Sequence, residues 1–324
     1  YCFLYNLLEI LIMKKIASLV AVATLSMTSA SAFAANDCEG LPSHAELTTA
    51  LKAATEADLG GLNFDMWGTV VNRNGVVCAV TKAFSPTNLL GARNTGASAT
   101  NGDPWLGSRA ISAQKANTAV AYSTNFLALS TANLYSAVQP GGSLFGLQHS
   151  NPVDPRVAFR GNPDNYGSAN DPMVGLKVGG VNVFGGGLPL YNESGVLIGA
   201  IGVSGDTSCA DHNVAWVTRE ELAGFGAANL SASSVGFGGL MGWSTDFGDA
   251  YQDNIIYDIV VDAAGVASSP SGFGHPTCEV GATQKEHLVS NQFDADFTGV
   301  ADLDARPSND TWDLAPINTA LPVD

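Results

Sequence analysis

The sequence predicts an α+β fold, an antiparallel sheet of about five strands whose faces are covered by amphipathic helices. Two hairpin signals, Asn74-Gly75 and Glu193-Ser194-Gly195, each stand between apolar runs. Helical patterns precede, separate and follow them, at 45–59, 108–129 and about 209–225. The resulting order is helix, hairpin, helix, long loop, hairpin, helix. That is a layered antiparallel domain rather than a doubly wound nucleotide fold.

The first helix, 45–59, has Leu47, Leu51, Ala54 and Leu59 on one face, with Ser43 as a cap and Gly60-Gly61 as the stop. The first hairpin pairs 66–71 with 76–80, and a polar loop, 85–104, follows. The second helix, 108–129, has apolar positions at Ile111, Ala119, Tyr122 and Phe126. Residues 140–187 are rich in Gly, Pro and Asn and too long for a plain connection, so they form a candidate ligand loop. The second hairpin pairs 188–191 with 196–203. Gly199 and Gly202 lie inside its second arm, where another backbone or a ligand approaches closely. Residues 255–261 read as one more strand within an otherwise loop-like tail.

The chain has 324 residues, 46% of them hydrophobic and 14% charged, with net charge −16. The apolar share argues against disorder, and the acidity against a nucleic-acid partner. The charge is uneven. Residues 227–324 carry 14 acids against 2 bases, an acidic extension expected to pack on a domain spanning 35–226. Met13-Lys14-Lys15, an apolar run and Ala32-Phe33-Ala34 form a secretory signal peptide over 13–34, preceded by twelve upstream residues. Lys14 and Lys15 interrupt the apolar stretch, so no membrane span is expected. The mature chain is then periplasmic or secreted. It retains Cys38, Cys78, Cys209 and Cys278 and lacks a C-x-x-C pair. An even count in an exported chain suggests two disulfides with three possible pairings, of which Cys38–Cys78 with Cys209–Cys278 would tie each terminal segment to the body.

Three segments carry a family resemblance: WLGSRAISAQKANTA at 105–119, QPGGSLFGL at 139–147, and GGLPLYNESGVLIGAIGVSG at 186–205 running on to Asp211. Over about residues 44–226 the chain resembles the GlcG/HbpS haem-binding family, related to the C-terminal domain of PduO-type proteins. The resemblance implies a PduO-C/GlcG-like α+β domain that binds non-covalent haem or a similar planar molecule, and that assembles as a homo-oligomer. It also implies a role in haem storage, delivery or redox sensing. Two alternatives follow from the same relatedness: an enzyme that degrades haem or acts on a small organic acid or corrinoid-like cofactor, and a structural oligomer without cofactor. The insertion over 150–181 and the acidic tail depart from the compact family domain.

Haem bound without covalent linkage needs an axial donor, an apolar slot and cations for its propionates. His149 lies in a Gly-rich loop beside Leu144 and Phe145, and His212 follows Asp211 at a helix start; either is the expected iron ligand. Arg109 and Lys115, on the helix of the family pattern, are the expected propionate partners. His44, His275 and His287 are weaker candidates, lying at a helix start, before Pro276 and in the acidic tail. Asp211, three residues after Ser208, reads as a capping box. No zinc spacing, phosphate loop or EF-hand pattern is present, and Asp294, Asp296, Asp302 and Asp304 read as solvated acid. No serine stands in G-x-S-x-G, and the paired cysteines leave no visible nucleophile, so the sequence favours binding over catalysis.

Overall fold

The computed structural model describes residues 38–84, 105–224 and 253–276, apart from residues 58, 63, 126 and 193. The first helix, α1, spans His44–Glu56 and is closed at its start by a capping box. Ser43 Oγ accepts from Glu46 N–H while the Glu46 carboxylate accepts from Ser43 N–H, at 3.3 and 2.8 Å. Strands β1 (Met66–Asn72) and β2 (Val77–Ala83) then pair around Gly75, whose φ of 74° is the left-handed conformation the turn demands. Helix α2 spans Leu106–Tyr122, strands β3 and β4 span Gly187–Tyr191 and Leu197–Ser204, and helix α3 spans Ser208–Gly224.

The four strands form one antiparallel sheet in the order β2-β1-β4-β3. Alternate residues feed two cores. Met66, Val70, Ala79, Ile201 and Val203 pack with α1 and α3 on one face. Trp67, Val71, Val80 and Ala200 pack with α2 and with Tyr166, Met173 and Val178 of the long loop on the other. The chain is therefore a helix–sheet–helix sandwich of α+β class. A register shift between Val70 and Val71 leaves Cys78 as an extra residue, and Cys78 and Ala79 both face the α1 side. There Cys78 bonds Cys38, with the Cα atoms 5.7 Å apart, which staples the start of α1 to the sheet.

Gly202 explains how closely the layers approach. A Cβ on it would lie 1.9 Å from the Ser112 carbonyl oxygen and 2.6 Å from Ala116 N, so the backbone of α2 rests on β4 where the side chain is missing. At the second glycine, Gly199, the neighbour is Val71 O, on the adjacent strand.

Helix α1 ends at Glu56, three residues short of the expected 59, and two further elements differ from expectation. Helix α2 ends at Tyr122, not at 129. Ser123 Oγ accepts from Leu129 N–H and Asn125 Oδ1 accepts from Leu197 N–H, so polar side chains draw 123–129 out of the helix and against β4. Of the strand expected over 255–261, only Val260–Val261 (β5) pairs, with Ala267–Ser268 (β6), in an exposed two-stranded ribbon. The preceding residues attach to the domain by side-chain contacts instead. Asn133 Nδ2 donates to Asn254 O at 2.7 Å, and buried Asp253 pairs with buried Arg219 of α3. The upstream residues and signal segment, the polar loop 85–104, Cys278, His287 and the tail aspartates lie outside the described residues.

Candidate functional site

The chemistry collects where the start of α3 meets the end of β4, the Gly185–Gly187 turn and residues 130–131. Lys115, entirely buried on α2, donates from Nζ to Val203 O at 3.0 Å and to Asp211 Oδ2 at 2.6 Å. The second oxygen of Asp211 accepts from Asp206 N–H at 2.8 Å. Asp211 is thus an interhelical ion-pair partner, not the acid of a capping box. Burial depresses the ammonium of Lys115 and raises the Asp211 carboxyl to about 6, and in both the partner's charge opposes the shift.

His212 follows, 1% exposed. Its Nδ1 lies 3.2 Å from Ser130 Oγ, and its Nε2 has no hydrogen-bond partner among the described residues. Burial, aided by the positive charges of Arg219 and Lys115, holds its pKa down to about 3, so the imidazole is neutral. Thr131 Oγ1 donates to Phe184 O and accepts from Gly187 N–H, fixing the glycine turn against α3. Gly185 N–H donates to Ser208 Oγ at 2.7 Å, and Ser208 Oγ lies 2.9 Å from His275 Nε2. The sequence gives no local sign of this last contact, because 67 residues separate the two partners.

The other residues singled out from the sequence lie apart from that cluster. Arg109 is fully buried and clamps Asp171 of the long loop through Nε and Nη2, with its guanidinium 3.8 Å over the Tyr166 ring. His149 is exposed, in the short helix Leu147–Ser150. Phe145 is 63% exposed nearby in sequence, while Leu144 and Leu147 pack against the cluster of Leu129, Leu134, Val138 and Val183. His44 Nε2 lies 3.0 Å from Gly167 O. An open cleft of about 400 Å³ is lined by Thr48, Lys52, Glu56, Lys82, Ala83 and Phe84, none of them a residue selected from the sequence. Among the described residues no group of three or more His, Cys, Asp or Glu stands together to hold a metal, and no helix is long and apolar enough to cross a membrane. Cys209 is disulfide-bonded, and its expected partner Cys278 lies outside the described residues.

These features define an α+β domain with a buried polar seam between α2 and α3 and an accessible histidine loop. Residues 89–218 match the family model described as "Haem degrading protein HbpS-like". Among solved structures it is similar to a PduOC–heme complex, with 23% identity over 58% of this chain and 93% of that one and a TM-score of 0.35. It is also similar to Klebsiella pneumoniae protein ORFY, of the DUF336 family model, with 24% identity over 56% and 90% and a TM-score of 0.34. No curated protein matches the chain.

The donor set fits haem in part. Iron takes a neutral imidazole nitrogen, and the unpartnered Nε2 of His212, with Nδ1 held by Ser130, is one. His149 offers another in the open. The expected propionate partners do not fit, since Arg109 and Lys115 are buried and committed to Asp171 and Asp211.

Proposed function

We propose that the protein is an exported haem-binding module, and the observation that carries the reading is the HbpS-like match over residues 89–218. The Cys38–Cys78 disulfide supports an oxidising compartment, as the signal segment would require. His149 is the exposed imidazole that a macrocycle reaches without rearrangement, and exposed Phe145, four residues before it in sequence, offers apolar surface. His212, whose Nε2 is buried, would hold the iron only where its surroundings open to expose that nitrogen. Haem would supply a redox-active iron; the chain would supply an imidazole and an apolar contact. Reversible uptake of this kind serves storage, delivery or sensing.

The test is titration of the full chain with hemin, followed in the Soret region. Saturable binding with a shifted band is expected, His149→Ala weakens it and His212→Ala leaves it; the reverse pattern assigns His212. Absence of a shift at micromolar hemin overturns the reading and leaves a cofactor-free assembly module, which light scattering would reveal as a defined homo-oligomer. The family's own description favours a second reading, in which bound haem is degraded. Loss of the Soret band with ascorbate or peroxide, beyond free-hemin controls, separates degradation from binding.

A further inference from the structure

Ser208 and His275 have the geometry of a nucleophile and its base. Ser208 Oγ lies 2.9 Å from His275 Nε2, inside the range at which an imidazole takes a hydroxyl proton. The tautomer follows from the other ring nitrogen. His275 Nδ1 lies 2.7 Å from Pro276 O, and a carbonyl only accepts, so Nδ1 carries the proton and Nε2 presents its lone pair to Ser208. That carbonyl orients the base as a third member of the group. The ring is held further by Tyr135, with centroids 5.7 Å apart, and by His275 N–H donating to Ile256 O at 2.7 Å. Ser208 is half-buried and touches solvent, whereas His275 is 7% exposed, which leaves the oxygen reachable and the base shielded.

The surroundings set what Ser208 can meet. The Gly185 N–H donated to its oxygen at 2.7 Å fixes the direction of the hydroxyl. A Cβ on Gly185 would lie 2.2 Å from Ser208 O and 3.1 Å from His212 Cβ, so the bare backbone of the turn packs directly on the first turn of α3. One helical turn on, the neutral His212 keeps its buried Nε2 without a partner among the described residues, a polar group with no structural use at the same place.

We propose that Ser208 and His275 form a nucleophile–base pair that hydrolyses small carboxylic esters, independently of any haem. Ser208 Oγ attacks the ester carbonyl carbon and passes its proton to His275 Nε2. The bond from the carbonyl carbon to the alcohol oxygen breaks, and the alcohol leaves with that proton. Water then attacks the acyl-serine, giving its proton to Nε2, and the acid departs as Oγ regains the proton. Ester and water become acid and alcohol, with no other reactant.

The full, disulfide-intact chain is treated with a small fluorophosphonate and, separately, with p-nitrophenyl acetate. A single phosphonyl adduct mapping to Ser208 is expected, absent in Ser208→Ala. Labelling and acetate release are expected to fall on the order of 100-fold in His275→Gln, the contribution of a positioned base. Failure of the folded wild-type chain to label at Ser208 overturns the proposal, as does equal labelling of a folded His275→Gln. The wild-type result decides alone, so a His275→Gln chain that does not fold leaves no gap.

Discussion

Lys115 Nζ lies 2.6 Å from Asp211 Oδ2 with both side chains buried, and this contact joins the middle of α2 to the first turn of α3 past the end of β4. Removing one partner strands the other charge. Lys115→Met is expected to lose about 3–5 kcal/mol of stability, and Lys115→Met with Asp211→Leu less than the sum of the single losses. Urea denaturation of the four chains measures the coupling.

The pH dependence of stability separates Asp211 from His212. Asp211, at about 6 in the fold against 3.8 unfolded, binds its proton more readily when folded. Its contribution is present below about pH 4 and lost as pH rises through about 6. His212, at about 3 against 6.5, stays neutral while the unfolded imidazole charges. Its contribution is present above pH 6.5 and lost as pH falls through about 3. Between roughly pH 4 and 6 the two slopes oppose each other and nearly cancel. His212→Gln is expected to leave a stability that climbs as pH falls through that window. Asp211→Asn is expected to leave one that drops by roughly 1.4 kcal/mol per pH unit. Denaturation midpoints at four or five pH values read both slopes.

Arg109 fastens the long loop. Its guanidinium engages Asp171, donates to Ala158 O and covers the Tyr166 ring, three contacts that the point charge of a lysine does not reproduce. Arg109→Lys is expected to lose about 3 kcal/mol and to open residues 155–180 to proteases, while the sheet stays folded. Limited proteolysis with fragment mapping locates the cuts.

Gly202→Ala tests the contact between α2 and β4. The new methyl meets Ser112 O, a backbone atom that cannot turn aside, so the helix must lift from the sheet. The expected loss is about 3 kcal/mol or more. A control Gly141→Ala, with no atom within 4 Å of the added carbon but φ at 86°, should lose only about 1 kcal/mol. Thermal melts of both chains compare them.

Where local physics sets the outcome, the sequence carries a legible signal. Ser43 and Glu46 form the start of α1, Asn74-Gly75 turns the first hairpin, and Gly202 receives the backbone that its missing side chain invites. Long-range pairing was invisible. Arg109 and Lys115 look like cations awaiting a ligand until Asp171 and Asp211, 62 and 96 residues away, are folded against them. The end of α2 was misplaced because Phe126 continues the apolar period while Ser123 and Asn125 divert the backbone. The strand at 255–261 shrank to Val260–Val261 because its first residues bind Asn133 rather than a neighbouring strand. Nothing local to Ser208 points to His275, which stands 67 residues further along the chain.

Asp253 answers the guanidinium of Arg219 from beyond the last long helix, and both are shut away from water. A recombinant product terminated at Gly224, the natural stopping point for anyone trimming to the sandwich, would leave α3 with an orphaned cation in its greasy flank. Such a fragment should precipitate or unravel, and its poor behaviour would say nothing against the whole polypeptide.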